Sequence, residues 1–264
     1  MILYFAGAEA YPEMLIENKA TNWLIAYPNK KITMYRKDAN IFIDSGAFSV
    51  YTGKKKVDHN KYISFIKESE MENYASLDVI GDPKQTKKNY LRELKQGLNP
   101  IPTYHQGEKS DYLKYYLDHC GTISLGGMVG IGTNKLLPFV ENCFTLIAKR
   151  NPDIKVHAFG VLSYAVLSRY PFYSADGTSW FAGSKRGNLL PFGSEWIKTS
   201  QVNVGTKKAR DLYGANILKY CHNDKSDQER TLRGKIRNEY NIRKYLELEQ
   251  FLTNLWTKRG VAFA

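Results

Sequence analysis

Short apolar runs alternate with longer amphipathic ones along this chain. Ile2–Ala8, Trp23–Tyr27, Ile41–Asp44, Tyr74–Ile80, Ile101–Gln106, Thr122–Met128 and Lys155–Val161 read as strands, and Phe172–Trp180 contains an eighth. Helical spacing fills most of the intervals. Lys61–Glu68 puts Tyr62, Phe65 and Ile66 on one side. Pro83 opens a helix that continues through Tyr90, Leu91 and Leu94 to a stop at Gly97. Ser110-Asp111 begins another through Leu113, Tyr116 and Leu117, and Leu136–Ala148 is the clearest amphipathic helix of the chain. Eight strands separated mostly by helices predict a parallel α/β fold. A closed (β/α)8 TIM barrel accounts for that number better than the alternative, an open doubly wound sheet. Such a barrel typically takes about 250 residues, which suits a chain of 264. The connections around the second and third strands are short and irregular, so the barrel is expected to be a modified one.

The pattern changes after Trp180. Ser184-Lys185-Arg186-Gly187 is a basic turn, and Lys207, Lys208 and Arg210 open a helix. Arg230–Lys244 is rich in Arg and Lys and includes Arg233 and Lys235. Leu246, Leu248, Phe251, Leu252, Leu255 and Trp256 then give a last helix an apolar side. The expectation is one domain over 1–264, with 181–264 completing the barrel and extending a basic surface.

Composition adds three constraints. The chain is 43% hydrophobic and 24% charged, which is ordinary globular usage. Lys and Arg number 38 against 26 acids, a net charge of +12 that favours a polyanionic partner, nucleic acid above all. Cys120, Cys143 and Cys221 are scattered and odd in number, so no disulfide framework is expected and a reducing cytoplasm fits. No apolar run reaches the ~20 residues needed to span a bilayer. The N-terminal Met1–Phe5 lacks a basic leader pattern and reads as the start of the first strand.

Chemistry collects where strands end. The third ends in Asp44-Ser45-Gly46, and the fourth carries Ser76-Leu77-Asp78 before Gly81-Asp82-Pro83. The fifth ends in His105-Gln106-Gly107-Glu108, the sixth in Gly126-Gly127-Met128, the seventh in Phe159-Gly160 and the eighth in Asp176-Gly177. In a barrel the C-terminal tips surround one mouth, where active sites lie. Three carboxylates there, Asp44, Asp78 and Asp176, suit glycosidic chemistry: one attacks the sugar carbon while another handles the proton of the leaving group. Gln106 offers a donor and an acceptor for a base edge. Gly126-Gly127 leaves backbone amides unobstructed for a carbonyl oxygen.

The ordered set Asp44-Ser45-Gly46-Ala47-Phe48, Leu77-Asp78, His105-Gln106-Gly107, Leu125-Gly126-Gly127-Met128, Ala158-Phe159-Gly160 and Asp176 resembles the tRNA-guanine transglycosylase superfamily, over roughly the first seven-tenths of the chain. The whole is most similar to its compact DNA 7-deazaguanine transglycosylases, which exchange guanine in DNA for a free 7-deazaguanine base such as preQ0. The resemblance implies that Asp176 is the nucleophile at C1′ and Asp44 the acid/base. It implies that Ser45, Asp78, Gln106, Gly126, Gly127, Met128 and Gly160 line the base site. It also implies that Phe48 and Phe159 sandwich the base. Relatives acting on tRNA carry a late Cys-x-Cys-x-x-Cys zinc site. This sequence has no such cluster, only an isolated Cys221-His222, so neither metal nor cofactor is expected. His157 reads as a core residue, and the role of His105 stays open. The partner is expected to be DNA, with tRNA as the alternative, and the alternative readings of the chain are a tRNA-guanine transglycosylase or a catalytically inactive nucleic-acid-binding subunit on the same scaffold. Lys185, Arg186, Lys207, Lys208, Arg210, Arg233 and Lys235 are the expected phosphate contacts.

Overall fold

The computed structural model describes residues 1–29, 32, 34–53, 57–190, 202–213 and 227–263. Eight parallel strands are present: β1 (Ile2–Ala6), β2 (Asn22–Ala26), β3 (Asn40–Asp44), β4 (Asn73–Tyr74), β5 (Thr103–His105), β6 (Thr122–Gly126), β7 (Lys155–Ala158) and β8 (Ser174–Gly177). Their hydrogen-bonded order is β4-β3-β2-β1-β8-β7-β6-β5. The two ends of this sheet meet through a parallel bridge between Ala75 and Ile101. There the Ser76 amide donates to the Ile101 carbonyl at 2.8 Å, and the Ile101 amide to the Tyr74 carbonyl at 2.9 Å. Each strand therefore neighbours the next in sequence and the last neighbours the first. That is a (β/α)8 barrel, not an open sheet.

Strand alternation sorts the side chains onto two faces. Leu3, Phe5, Trp23, Ile25, Ile41, Ile43, Ile123, Leu125 and Val156 point outward into the large core under the helices. Tyr4, Ala6, Leu24, Phe42 and Ala75 fill the barrel interior, with Phe159 packed against them. By this alternation Asp44 follows Phe42 on the inner face. Small inward residues at β3 and β8 would leave the interior hollow. Here Phe42 stacks on His157 at 4.7 Å between ring centres, so the lower interior is filled, with Thr103, Ser124 and Ser174 buried as polar residues among the strands.

The connecting helices are α1 (Pro12–Glu17), α2 (Ala47–Tyr51), α3 (His59–Ser69), α4 (Pro83–Lys95), α5 (Ser110–His119), α6 (Thr133–Arg150), α7 (Tyr164–Leu167) and α8 (Ser179–Ala182). Asp58 caps α3 by accepting from the Asn60 and Lys61 amides. Asp82 caps α4, Pro83 follows in the first turn, and Gly97 at φ 75° lies just past its end.

The fourth strand is shorter than its apolar pattern predicts. Regular pairing covers only Asn73–Tyr74, and the tip is held by side chains of α4 instead. Glu93 accepts from the Leu77 amide, Asn89 donates to the Leu77 carbonyl, and Thr86 bonds both the amide and the carbonyl of Val79. The inner face of α4 is thus polar because it replaces a missing strand ladder.

Beyond α8 lie a 3-10 turn at Ser184–Arg186, the antiparallel pair β9 (Asn188–Leu189) and β10 (Val202–Asn203), α9 (Lys207–Tyr213) and α10 (Asp227–Lys258). The 32-residue α10 joins two stretches that differ in character, one basic and one apolar. It packs against β1, α8 and β9. Its basic half is not simply a solvated surface. Arg237 is buried, with Nε donating to the Ser184 carbonyl, and Asn241 is buried where it bonds the Leu190 amide and the Trp180 and Asn188 carbonyls. Tyr245 donates to the carbonyls of Tyr4 and Gly177, tying α10 to neighbouring strands β1 and β8.

Asn241→Leu keeps the branched outline of the side chain and removes its hydrogen bonds to the Leu190 amide and the Trp180 and Asn188 carbonyls. Unsatisfied groups cost about 1–3 kcal/mol each. The urea midpoint should fall by an amount equivalent to at least about 2 kcal/mol with an unchanged slope. A midpoint within error of wild type would mean that Asn241 does not anchor α10.

Candidate active site

The site starts from β3. Its last residue, Asp44, is followed by Ser45 and by Gly46 at φ 80°, a conformation that favours glycine. A Cβ on Gly46 would stand 2.8 Å from the Tyr27 carbonyl oxygen, so glycine is also required by the close approach of the β2 end. The turn bends the chain sharply and aims the Ser45 and Gly46 amides at the Asp44 carboxylate.

Ser45 reaches the next strand tip. Its Oγ donates to Asp78 Oδ1 at 2.5 Å and accepts from the Ala47 amide at 3.1 Å. The other oxygen of Asp78, Oδ2, lies 2.8 Å from His105 Nε2. His105 Nδ1 lies 2.9 Å from Glu108 Oε1. Ser45, Asp78, His105 and Glu108 thus form one buried chain across the tips of β3, β4 and β5. Burial opposes charge on His105, but the hydrogen bonds and charges of Asp78 and Glu108 outweigh it and raise its pKa to about 9. The imidazole is therefore a cation at neutral pH, clamped between two acids. Gly126 allows this arrangement: a Cβ there would meet His105 Cδ2 and Thr103 Cγ2 at 2.8 Å.

Asp176 closes the mouth from β8. Its Oδ1 accepts from the Gly160 amide at 2.8 Å, and among the described residues Oδ2 accepts no hydrogen bond. His157 Nε2 stands 3.3 Å from the same Oδ1 but outside hydrogen-bond geometry, while its Nδ1 lies 2.9 Å from Ser174 Oγ. Glycine at 160 has φ 69° and leaves room for Val129, whose Cγ2 would lie 2.4 Å from a Cβ.

Asp44 feels both other acids. Burial first, then the charges of Asp78 and Asp176, push its carboxyl up to about 7 from the usual 3.8, against the pull of the Gly46 and Ser45 amides. Part of its surface stays open to solvent even though protein surrounds most of it. The three carboxylates proposed from the strand tips are therefore gathered at one end of the barrel, and one of them holds its proton close to neutrality.

The other expected residues fall in different settings. Gln106 Oε1 is buried with no hydrogen-bond partner among the described residues, an acceptor in want of a donor. Its backbone amide donates to the Gly126 carbonyl. Gly127 has φ 71° and follows at the β6 tip. Phe48, in the first turn of α2, is 51% exposed. Phe159 is half-buried and packs edge-on against Phe42 and His157. Met128 is buried in the outer core, where it supports the β6 tip. Lys185, Arg186, Lys207, Lys208 and Lys235 are exposed, and Lys235 stands 3.9 Å from Glu239. The side chains of Arg210 and Arg233, together with Cys221 and His222, lie outside the described residues.

His105 and Glu108 are the partners that strand-tip reading left unassigned. Their spacing of three was the available signal, since a turn of that length returns a carboxylate to the imidazole. Glu93 carried no such signal: it sits in a lysine-rich helix and gives no sign of being buried beneath β4. Among the described residues no group of three His, Cys, Asp or Glu side chains is arranged to hold a metal ion.

No family model matches the chain, and no curated protein matches it. Among solved structures, the tryptophan synthase alpha chain from Legionella pneumophila subsp. pneumophila is similar over 68% of this chain and 80% of that one, with 10% identity and a TM-score of 0.46. The likeness is too slight to carry an argument. The barrel assignment stands on the strand order and its closure, and the chemistry on the residues at the mouth.

The raised pKa of Asp44 has a stability consequence. Between about pH 4 and 7 the folded chain keeps this proton and the unfolded chain releases it, so stability falls as pH rises through that window. Asp44→Asn removes the effect. The variant should gain about 1–3 kcal/mol over wild type at pH 8 and nothing at pH 4, read from urea unfolding at both values. An equal difference at the two pH values would show that Asp44 does not titrate high.

Proposed function

We propose that this protein exchanges guanine in DNA for a free 7-deazaguanine base through a covalent glycosyl intermediate on Asp176. One observation carries the reading: a carboxyl held protonated up to about pH 7, Asp44, shares a barrel mouth with a second carboxylate, Asp176, that has one oxygen anchored and one free. That pairing of acid and nucleophile is what glycosidic exchange needs.

In the first half of the reaction Asp176 Oδ2 attacks C1′ of the target nucleotide. The bond from C1′ to the base breaks, its electron pair leaves with guanine, and Asp44 supplies the proton that neutralises the departing base. The Gly160 amide keeps Oδ1 in place and aims the second oxygen. In the second half the incoming base gives its proton to the Asp44 carboxylate and attacks C1′, and the ester to Asp176 is released. Atoms and charges balance over the cycle, and no cofactor is consumed.

Recognition falls to the opposite side of the mouth. The Gln106 side chain offers the unpaired acceptor, Asp78 keeps further lone pairs beyond those used by Ser45 and His105, and the exposed Gly127 at the β6 tip has no side chain to obstruct its backbone. A base in a duplex cannot reach such a site unless it is extruded or already unpaired. Phe48 offers an exposed ring and Phe159 a partly exposed one to replace the lost stacking. Lys185, Arg186, Lys207, Lys208, Arg210, Arg233 and Lys235 follow β8 in the chain and are candidates for phosphate contacts on that side.

The test is incorporation of labelled guanine and labelled 7-deazaguanines into DNA and, in parallel, tRNA. Wild type should label DNA, and Asp176→Ala should be inactive while still binding DNA. Labelling of tRNA alone would replace DNA with RNA as substrate, and labelling of neither would overturn the reading. Because Asp44 must enter protonated, kcat/KM for DNA should fall as pH rises through about 7. A rate that climbs through that range would assign the acid elsewhere.

A further inference from the structure

A concavity outside the mouth runs along α4. It measures about 570 Å³, and five of its nine lining residues are cationic: Lys84, Lys87, Lys88, Arg92 and Lys95. No acid lines it. Positions 84, 88, 92 and 95 are spaced by four, four and three, which sets them on one face of the helix. The opposite face of α4 holds the β4 tip through Thr86, Asn89 and Glu93, so this helix cannot turn its cations inward.

Two of the cations are already partly engaged. Lys87 sits over the Tyr115 ring at 3.3 Å, and Arg92 bonds Asn60 Oδ1 at 2.5 Å. Among the described residues Lys84, Lys88 and Lys95 are exposed and have no ion-pair partner. The nearest acids stand outside the groove. Asp58 caps α3, Asp82 caps α4, and Glu93 is buried against His59. Three exposed lysines without an acid partner in a concave surface favour a polyanion.

The groove leads to the chemistry. His59, Gln85 and Asn89 line it and also line a second pocket of about 250 Å³ that reaches Asp78 at the β4 tip. From Lys84 to Lys95 the helix runs about 16 Å at its usual rise. β4 and β8 stand four places apart in a ring of eight strands, on opposite sides of the mouth. A strand on α4 would therefore reach Asp78 from outside β4, across the mouth from Asp176.

We infer that the α4 groove holds the phosphodiester backbone of the strand that carries the target nucleotide. This rests on the base-exchange reading for its choice of nucleic acid as the polyanion. The C-terminal cations after β8 would then grip the other flank, and the nucleotide between them would lie over the mouth.

The experiment measures binding of a labelled single-stranded oligonucleotide to the full chain between 50 and 200 mM salt. Each phosphate contact on a single strand contributes about 0.7 to the slope of log affinity against log salt. Lys84→Gln, Lys88→Gln and Lys95→Gln together should lower that slope by about 2. Over a fourfold change in salt, the variant should lose roughly sixteen-fold less affinity than wild type. A control with the same net charge carries Lys19→Gln, Lys37→Gln and Lys149→Gln, three exposed lysines that precede β2, β3 and β7 at the other end of the barrel. It should keep the wild-type slope. An unchanged slope in the α4 variant, or an equal drop in the control, overturns the groove. So does a mononucleotide that binds as tightly as the oligonucleotide, which would make the site one for a small phosphorylated ligand. Exchange activity is scored separately. An active wild type with an unaffected α4 variant defeats the groove alone, and an inactive wild type with the predicted slope change defeats the base-exchange reading alone.

Discussion

Three carboxylates at one end of a barrel repel each other, and the rim is arranged around that repulsion. Asp78 is neutralised by the His105 cation, which Glu108 secures from behind. Asp176 spends one oxygen on the Gly160 amide. Asp44 has only the Ser45 and Gly46 amides in its favour, and it keeps its proton up to about pH 7. The difference among the three acids therefore comes from their neighbours rather than from the residues themselves. The three carboxyl groups of the mouth therefore meet three different surroundings before any substrate arrives.

That arrangement depends on glycine and on polar helices as much as on the acids. Gly46 and Gly126 sit where a side chain would strike the Tyr27 carbonyl and His105. The β4 tip, which carries Asp78, has too little strand pairing to fix it, and α4 supplies Glu93, Asn89 and Thr86 in its place. At β8, α10 does comparable work: Tyr245 bonds the Gly177 carbonyl just after Asp176, and Asn241 secures the segment that follows. The acids face one another because helices on two sides of the ring hold their strand ends.

Much of the fold was legible because its signals are local. All eight strands overlap the apolar runs, with β2, β3 and β4 each starting one residue earlier, and α3 and α4 begin at Asp58 and Asp82, each with a capping side chain. The acids were visible for the same reason, standing where apolar runs stop. What stayed hidden depends on contacts far apart in sequence. Nothing near Tyr74 reveals that β4 ends early, since its replacement ladder comes from residues 86–93. Arg237 and Asn241 look like members of a solvated basic stretch, yet they are buried against residues about 50 positions earlier. Charge density could suggest a polyanion partner but could not separate the C-terminal cations from the row along α4.

The central claim is that Asp176 becomes covalently joined to the sugar. The most direct measurement incubates the protein with a guanine-containing oligonucleotide, without incoming base, followed by denaturation and peptide mass analysis. The account predicts a peptide spanning Asp176 that carries a nucleotide lacking its guanine, and the loss of that adduct when a 7-deazaguanine is added first. An adduct on Asp44 or Asp78, or efficient exchange with no adduct on Asp176 at any time point, would contradict it.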